Sequence, residues 1–375
     1  MVIQKILILS VSAGAGHVRA AEALCAAAAD RSEVSVRHLD VMQFVPGGFR
    51  KLYTDFYVAL VNRHPALWGY LYQFSNNASP SDVLQKLRRA VERLNTRSLL
   101  QEIEEFGPDA IVCTHFLPAE ILARLRGLGR LTVPVWVQVT DFDLHRMWVQ
   151  PHMAGYFAAS EEVAFRMRAE GLAPEAIHVT GIPIMPAFGQ PPNRGVCADE
   201  AGLDPDRFTI LLMGGGAGIG GLATVAADLL TIDGQTQVIA MAGRNEIALQ
   251  ALQALAVQFP GRMLAISFTG RVERLMACAD LVITKPGGLT SAECLAMGLP
   301  MIVNAPIPGQ EERNADYLLE QGVALKAVDR VSLEFRVRHL IDHPAQLAAM
   351  RNRAGLLARP AAAGDVLRIV RATLA

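Results

Sequence analysis

A histidine stands where an apolar run meets an alanine-rich run, in "ILILSVSAGAGHVRAAEAL" from Ile6 to Leu24. The aliphatic start predicts a buried strand, the alanines predict a helix, and His17 falls on the bend between them. An imidazole titrates near neutral pH, so it is suited to take a proton from a hydroxyl group. The small residues Gly14 and Gly16 leave room for a substrate. We predict that His17 is a general base; the alternative is a histidine that only packs or caps at the turn.

A second segment, "VITKPGGLTSAECLAMGLP", combines a buried strand, two glycines and a helix predicted to start at Thr290. Free amides in this turn and the positive end of the helix would hold a diphosphate. Thr290 and Glu293 also match a T-x-x-E capping box, which predicts a purely structural task for both. Glu293 is therefore a candidate ligand-binding residue or part of a helix cap.

A glycine-rich turn, "LLMGGGAGIGG", follows another predicted strand and contains G-x-G-x-x-G from Gly216 to Gly221. Such a turn brings backbone amides close to phosphates. The dinucleotide-binding version needs an acidic residue at the end of the next strand, but "TQVIAMAGRNE" has Gly243 and Arg244 there. An NAD enzyme is therefore disfavoured, and a phosphate-facing or close-packed turn remains.

Amide and carboxylate side chains gather in "NAPIPGQEERNADYLLEQG", after a further strand. Gln310, Glu311, Glu312 and Asn314 lie at a predicted helix start and suit the hydroxyl groups of a sugar. The alternative is an ordinary acidic first turn of a helix.

The segment "VTDFDLHRMWVQPHMAGYF" follows a strand in the first half of the chain. Its Asp141 and Asp143 match the D-x-D pattern with which some glycosyltransferases hold a divalent metal, but this spacing often arises by chance. We predict instead that Asp141 belongs to an acceptor site or is a partner of His17, and that no metal is bound. Trp148 either lines an acceptor groove or belongs to the core.

These motifs follow short apolar runs that alternate with helical patterns along the whole chain. The runs are continuous in Val, Ile and Leu, which predicts parallel strands buried on both faces and covered by crossover helices. Pro183, Pro186, Pro191 and Pro192 mark a linker near residue 185. We predict two Rossmann-like α/β domains facing across a cleft, over residues 1–185 and 186–354, with a C-terminal helix in 355–375 packing toward the first domain.

Composition limits the function classes. Hydrophobic residues make up 51% and charged residues 19%, with a net charge of -1, which argues against bulk nucleic-acid binding. No apolar run approaches the roughly 18 residues that cross a bilayer, and the N-terminal run leads into a motif rather than a cleavage site. The five cysteines have no paired spacing and are expected to be small core residues in a reducing compartment. These features predict a cytoplasmic protein.

Aromatic residues are concentrated in one segment, Phe44 to Phe74, which holds nine of the chain's 23 aromatics beside Arg50, Lys51 and Arg63. A predicted helix with a basic face follows, in "SPSDVLQKLRRAVERL". One interpretation is a helical insertion that packs on the first domain. The other is an interfacial surface for a bilayer with anionic lipid, where aromatic and basic side chains occur together.

Taken together, "LSVSAGAGHVRAAEAL", "VTDFDLHRMW", "VTGIPI", "LLMGGGAGIGG", "ITKPGGLTSAECLAMGLP" and "PGQEERNADYL" resemble the monogalactosyldiacylglycerol synthase and processive diacylglycerol glucosyltransferase family, in the family's order. The peptidoglycan lipid II synthase is a more distant relative. The resemblance implies the GT-B fold and transfer with inversion, without a catalytic metal. It implies a UDP-hexose donor, a diacylglycerol-type acceptor and no further cofactor. It also implies a peripheral position on the inner face of the cell membrane.

The resemblance also implies site residues. His17 corresponds to the base, in an acceptor-side turn formed by Gly14 and Gly16. The positions matching the donor site are Gly215, Gly216, Val272, Gly287, Gly288, Leu289, Thr290, Glu293, Gln310 and Glu311, with Phe268 to Val272 resembling the loop that meets uracil. The turn "SAGAGH" differs from the forms typical of the plant and glucosyl enzymes, so glucose and galactose both stay open. Two alternatives also stay open: transfer of N-acetylglucosamine to another acceptor, and a non-catalytic UDP-sugar-binding regulator.

Overall fold

The computed structural model describes residues 3–12, 14–29, 31–44, 96–214 and 221–374. The chain divides into two compact units. The first comprises Met1–Pro186, Pro308–Gln310 and Arg359–Ala375, and the second Ala187–Ile307 and Glu311–Ala358. Each unit is built around one six-stranded sheet.

The described residues contain twelve strands: β1 (Gln4–Ser10), β2 (Val34–Asp40), β3 (Ala110–Cys113), β4 (Val135–Gln138), β5 (Gly155–Ala158), β6 (Ile177–Val179), β7 (Thr209–Met213), β8 (Gln237–Gly243), β9 (Met263–Ser267), β10 (Leu281–Thr284), β11 (Met301–Asn304) and β12 (Ala324–Ala327). They also contain thirteen α-helices: α1 (Ala15–Ala28), α2 (Thr96–Phe106), α3 (Phe116–Gly127), α4 (Glu161–Ala169), α5 (Arg194–Ala201), α6 (Leu222–Leu230), α7 (Glu246–Gln258), α8 (Val272–Cys278), α9 (Gly288–Ala296), α10 (Gln310–Glu320), α11 (Arg330–Asp342), α12 (Pro344–Leu357) and α13 (Ala362–Ala372).

The first sheet is parallel throughout, in the order β2-β1-β3-β4-β5-β6. Its central strands are apolar and buried on both faces, as expected for a sheet covered by helices. The C-terminal helix α13 belongs to this unit. Its Ala363, Val366, Leu367 and Val370 recur at helical spacing and join the core formed by β1, β3 and α1.

The second sheet is also parallel, in the order β12-β11-β10-β7-β8-β9. A core of aliphatic residues from β7, β8 and β10 packs against α6, α7 and α11. At the edge of the core, Arg194 makes a two-pronged ion pair with Asp280, at 2.9 and 2.8 Å. Asp280 also accepts from the Thr209 amide at 2.9 Å, so it ties α5 to the start of β7.

The predicted fold class is confirmed: two Rossmann-like units with parallel sheets, and a strand within each predicted apolar run. Two predicted helix starts are wrong. The first helix begins at Ala15, so His17 lies in its first turn rather than on the preceding bend. The helix after Gly287 begins at Gly288, two residues before Thr290. The glycine and alanine residues at these starts do not produce a 3.6-residue apolar pattern. The pattern therefore predicts a helix start that lies too far along the chain.

Several predicted features lie outside the described residues. These are the aromatic segment beyond Phe44, the basic helix in 79–94, and the glycine turn at Gly215 and Gly216. The five cysteines are all free thiols, and four of them are buried, which agrees with a core role. In the described ranges, no helix has the length and apolar content that crossing a membrane requires.

Candidate active site

His17 lies at the switch point of the first sheet. From β1 the chain continues to β2 on one side, and β3 pairs with β1 on the other. The loops that follow β1 and β3 therefore flank a crevice at the carboxyl ends of the strands, where ligands bind in open parallel sheets. Helix α1 starts at this crevice, with Gly14 as its extended N-cap and His17 as its third residue.

The ring of His17 is held through its Nδ1 atom. This atom lies 2.9 Å from the backbone oxygen of Thr114 and 3.0 Å from the hydroxyl of Thr140. A carbonyl oxygen can only accept, so Nδ1 carries the proton and donates it to Thr114. Nε2 of the neutral ring is then left with a free lone pair, which is the form that a general base needs.

Burial lowers the pKa of His17 from its ordinary value to about 4, and the bond to the Thr114 carbonyl opposes this only in part. The charged form of the ring is poorly solvated here. His17 is therefore neutral across the physiological pH range and is able to accept a proton.

A second histidine, His115, packs edge-on against His17 with ring centroids 4.5 Å apart. It caps helix α3, since its Nδ1 accepts from the Leu117 amide at 3.0 Å. Burial, followed by the proximity of His17, holds the pKa of His115 well below its usual range. Two neutral imidazoles therefore lie side by side, and neither adds a positive charge to the other.

Trp148 is 3% exposed, so it belongs to the core beneath the site rather than to an open groove. Its ring centroid lies 6.1 Å from that of His17 and 5.9 Å from that of Phe116. Its contribution is to support the histidine rings from the interior. Gly14, by contrast, is exposed, and a Cβ placed there would lie 3.9 Å from Cδ2 of His17. Gly16 is half-buried in the first turn of α1.

The two aspartates after β4 have different environments. Asp141 is 6% exposed and accepts a 2.7 Å hydrogen bond from Gln310 Nε2. The contacts of Pro308–Gln310 place Gln310 in the same unit as Asp141. Asp143 lies 3.4 Å from the Arg166 guanidinium. The residue of this segment that contacts the His17 ring is Thr140, the neighbour of Asp141, whose hydroxyl lies 3.0 Å from Nδ1.

Among the described residues, no three His, Cys, Asp or Glu side chains form a group able to hold a metal ion. In the D-x-D pair, the Asp143 carboxylate contacts the Arg166 guanidinium, and the Asp141 carboxylate accepts from the Gln310 amide.

The second sheet has its own switch point, between β7 and β10. After β10 the chain passes Lys285 and enters α9, whose N-cap is Gly287 in an extended conformation. The amide of Gly287 donates to the Lys285 carbonyl at 2.9 Å. The next three amides, of Gly288, Leu289 and Thr290, have no acceptor within the helix. This helix end, with its positive dipole, is suited to a phosphate group.

The predicted capping box at Thr290 and Glu293 is wrong, because the N-cap residue is Gly287 and it has no side-chain cap. Thr290 is instead the third residue of the helix and is half-buried. Glu293 lies one turn further on and is 8% exposed, so its carboxylate is not on the open surface. Neighbouring Ser291 is fully buried, and its hydroxyl has no hydrogen-bond partner.

The loop after β11 lies next to the loop after β10, because these strands pair in parallel. Ala305 in this loop has a positive φ of 46°, which is uncommon for a residue with a Cβ. Glu311, in the first turn of α10, accepts from the Ile307 amide at 2.7 Å and so fixes the loop. Burial raises the pKa of Glu311, while this amide and the Lys285 ammonium oppose the shift.

The stretch from Phe268 to Val272 connects β9 to α8. Phe268 is 61% exposed, and the Arg244 guanidinium lies 5.0 Å from its ring centroid. Val272 is the first residue of α8 and is half-buried.

Sequence reasoning missed three residues of the histidine site: Thr114, His115 and Thr140. Each stands directly after a buried strand or one residue beyond, in "IVCTH" and "VQVT". That position was a usable signal, because the carboxyl ends of neighbouring parallel strands meet at one edge of the sheet.

Comparison with known proteins finds a similarity for each of the two units. Residues 17–184 match the family model of monogalactosyldiacylglycerol (MGDG) synthase, and residues 209–365 match the glycosyltransferase family 28 C-terminal domain. A Bacillus subtilis (strain 168) processive diacylglycerol beta-glucosyltransferase is 30% identical over 233 residues, which is 62% of this chain and 60% of that protein. The Staphylococcus aureus (strain Newman) protein of the same name is 29% identical over 331 residues, covering 85% and 80%.

The fold of the chain resembles the crystal structure of Acinetobacter baumannii MurG, with a TM-score of 0.60, 16% identity, and coverage of 98% of this chain and 99% of that one. The sequence match covers 60% of the length of the Bacillus subtilis relative. The structural match covers 99% of the MurG chain. In chain order, the first unit is therefore similar to MGDG synthase, and the second is similar to the C-terminal domain of family 28 glycosyltransferases.

Proposed function

We propose that this protein transfers a hexose from a UDP-sugar to a diacylglycerol-type lipid, with inversion at the anomeric carbon and without a catalytic metal. The observation that carries the proposal is the His17 ring, held in the Nδ1–H form at the switch point of the first sheet. The relatives named diacylglycerol glucosyltransferases support the choice of acceptor and donor.

In this reaction the lipid hydroxyl donates its proton to Nε2 of His17 while its oxygen attacks the anomeric carbon. The bond from that carbon to the β-phosphate oxygen breaks in the same displacement, which inverts the configuration. The electron pair leaves with UDP, so negative charge develops on the diphosphate. The amides of Gly288, Leu289 and Thr290 at the start of α9 are suited to stabilise that charge.

Independence from a metal is supported by the surroundings of the D-x-D pair. The Asp143 carboxylate faces Arg166, and the Asp141 carboxylate accepts from Gln310, so both have other partners. The helix end after β10 offers amides to the diphosphate in place of a cation. Activity is accordingly expected to persist after treatment with EDTA.

The acceptor resides in a bilayer, so the proposal includes work at a membrane surface. The basic and aromatic segment predicted from the sequence is the candidate for this contact. Residues 45–95 of that region lie outside the described structure.

The direct test is a transfer assay. Radiolabelled UDP-glucose or UDP-galactose is incubated with the protein and vesicles of phosphatidylglycerol, phosphatidylcholine and diacylglycerol, with and without EDTA. We expect a labelled glycolipid with one of the two donors, and a β-linkage when its anomeric carbon is examined by NMR. Vesicles without diacylglycerol are the control. No labelled lipid with either donor, or an α-linkage, would contradict the proposal.

The pH dependence of the rate follows from the environment of His17. Its pKa in the folded protein is about 4, so the ring is neutral above that value and becomes protonated, and inactive as a base, below it. At pH 5.5 about nine-tenths or more of the rings are neutral, whereas an ordinary histidine would be mostly charged. We expect the acid limb of log kcat/KM against pH to lie near 4 rather than near 6.5. A limb near 6.5 would show that the base has the pKa of an ordinary histidine, and it would contradict the lowered pKa of His17.

A further inference from the structure

The His17 ring is held by uncharged oxygens. In the described structure its Nδ1 lies within hydrogen-bond distance of two acceptor oxygens, the Thr114 backbone carbonyl at 2.9 Å and the Thr140 hydroxyl at 3.0 Å. A carboxylate is a common partner for the far nitrogen of a catalytic histidine, because it fixes the tautomer and stabilises the charged ring. Here that task falls to two neutral groups.

Thr114 is itself immobilised. Its amide donates to the Leu9 carbonyl at 2.9 Å, and its hydroxyl donates to the backbone oxygen of His17 at 2.9 Å. Its carbonyl oxygen therefore occupies a fixed place next to the His17 ring. Because the carbonyl only accepts, it selects the tautomer with hydrogen on Nδ1.

The Thr140 hydroxyl is a second acceptor oxygen next to the hydrogen on Nδ1 of His17. Thr140 is 4% exposed and comes two residues after β4, which pairs with β3, the strand that leads to Thr114. The sheet thus brings both threonines to one edge of the ring. With the Nδ1 hydrogen directed to the carbonyl, the hydroxyl oxygen at 3.0 Å is placed to accept a share of it.

We propose that Thr140 is a positioning residue for His17, whose hydroxyl, together with the Thr114 carbonyl, holds the ring in its basic tautomer and stabilises the imidazolium formed during transfer. The role in transfer rests on the proposed function. When Nε2 takes the acceptor proton, the ring gains a full positive charge. The two oxygens that accept from Nδ1–H then stabilise this charge, in place of the water that burial excludes from the ring.

The test uses Thr140→Val, which keeps the shape and removes the hydroxyl, and Thr140→Ser, which keeps the hydroxyl. We expect Thr140→Val to lower kcat by about tenfold with the acceptor KM unchanged, and Thr140→Ser to restore most of the rate. The matched control is Thr180→Val, another threonine that is 4% exposed in the same unit and bonds only locally, to the Gly181 carbonyl. A wild-type kcat for Thr140→Val would overturn the proposal, as would equal losses in the Val and Ser variants.

A second readout does not depend on activity. In protein labelled with 15N-histidine, the ring nitrogen shifts report the tautomer, and His17→Ala identifies the His17 signals. We expect the Nδ1–H form in the wild type at pH 7, and a smaller share of that form in Thr140→Val but not in Thr180→Val. An unchanged share would overturn the positioning role. If His17→Ala keeps its activity, the base assignment fails instead, and the tautomer measurement still decides how the ring is held.

Discussion

Replacing His17 by alanine is expected to lower kcat by about 10²–10⁴-fold, the usual contribution of a general base. The substitution removes the only side chain at the first switch point whose free nitrogen is placed to accept a proton, as far as the described residues show. The loss should appear in kcat with little change in the donor KM, because the diphosphate is proposed to bind on the other unit. Initial rates with diacylglycerol vesicles measure it.

A matched control for this substitution is His178→Ala. His178 is also half-buried in the first unit, and burial lowers its pKa too, but its ring packs against Trp136 and Phe157. Any loss shared by the two variants would reflect packing, whereas a loss confined to His17→Ala reflects chemistry.

Adding free imidazole tests whether the lost activity is that of a base. His17 is partly exposed, so its replacement by alanine leaves a space that imidazole can enter. We expect imidazole to raise the rate of His17→Ala and not that of the wild type. A His17→Ala variant within about threefold of the wild-type rate would exclude His17 as the base.

Substituting Gly287 is expected to weaken donor binding while leaving the fold intact. Its φ is −64°, which any residue adopts, and a Cβ built there meets nothing within 4 Å. The protein without ligand therefore tolerates a side chain at this position. A diphosphate seated on the amides of α9 would lie against that side chain, so we expect the donor KM to rise about tenfold for Gly287→Ala, or about 1.4 kcal/mol.

A graded series strengthens this test: Gly287→Val should raise the donor KM further, to about a hundredfold, since its side chain is larger. The melting temperature of Gly287→Ala should stay close to that of the wild type, because two effects on stability offset each other. Alanine is a poorer N-cap than glycine, which destabilises the folded protein. It also lowers the conformational entropy of the unfolded chain, which stabilises the folded protein. Gly234→Ala is the control, since a Cβ there also meets nothing within 4 Å, its backbone is not left-handed, and it precedes β8 at the amino end of the strand. An unchanged donor KM in both Gly287 variants would show that the diphosphate does not bind at the start of α9.

Much of the fold was predictable because its strands are buried on both faces. The buried part of a central parallel strand such as β1 or β10 is apolar on both faces, so it stands out as a continuous run of Val, Ile and Leu. The starts of α1 and α9 were less predictable. Both begin in glycine- or alanine-rich turns, where a missing side chain removes the periodic signal, and this is why the capping box at Thr290 was assigned wrongly.

The candidate site was predictable in part. His17, Gly287 and Glu311 each follow a strand closely, and a residue at the carboxyl end of a parallel strand lies at the edge where ligands bind. Trp148 and Asp141 were ambiguous because burial is a property of the folded chain: Trp148 is in the core, and Asp141 bonds to Gln310, 169 residues away along the chain.

The sequence by itself therefore determined the strands, the parallel sheets and the position of an imidazole next to a glycine-containing turn, because each of these follows from local residue patterns. Only the tertiary structure decided the state of that imidazole. Its partners Thr114 and Thr140 lie 97 and 123 residues further along the chain, and strand order alone brings them to Nδ1. The tautomer and the lowered pKa of His17 depend on those oxygens and on burial, which local sequence does not encode.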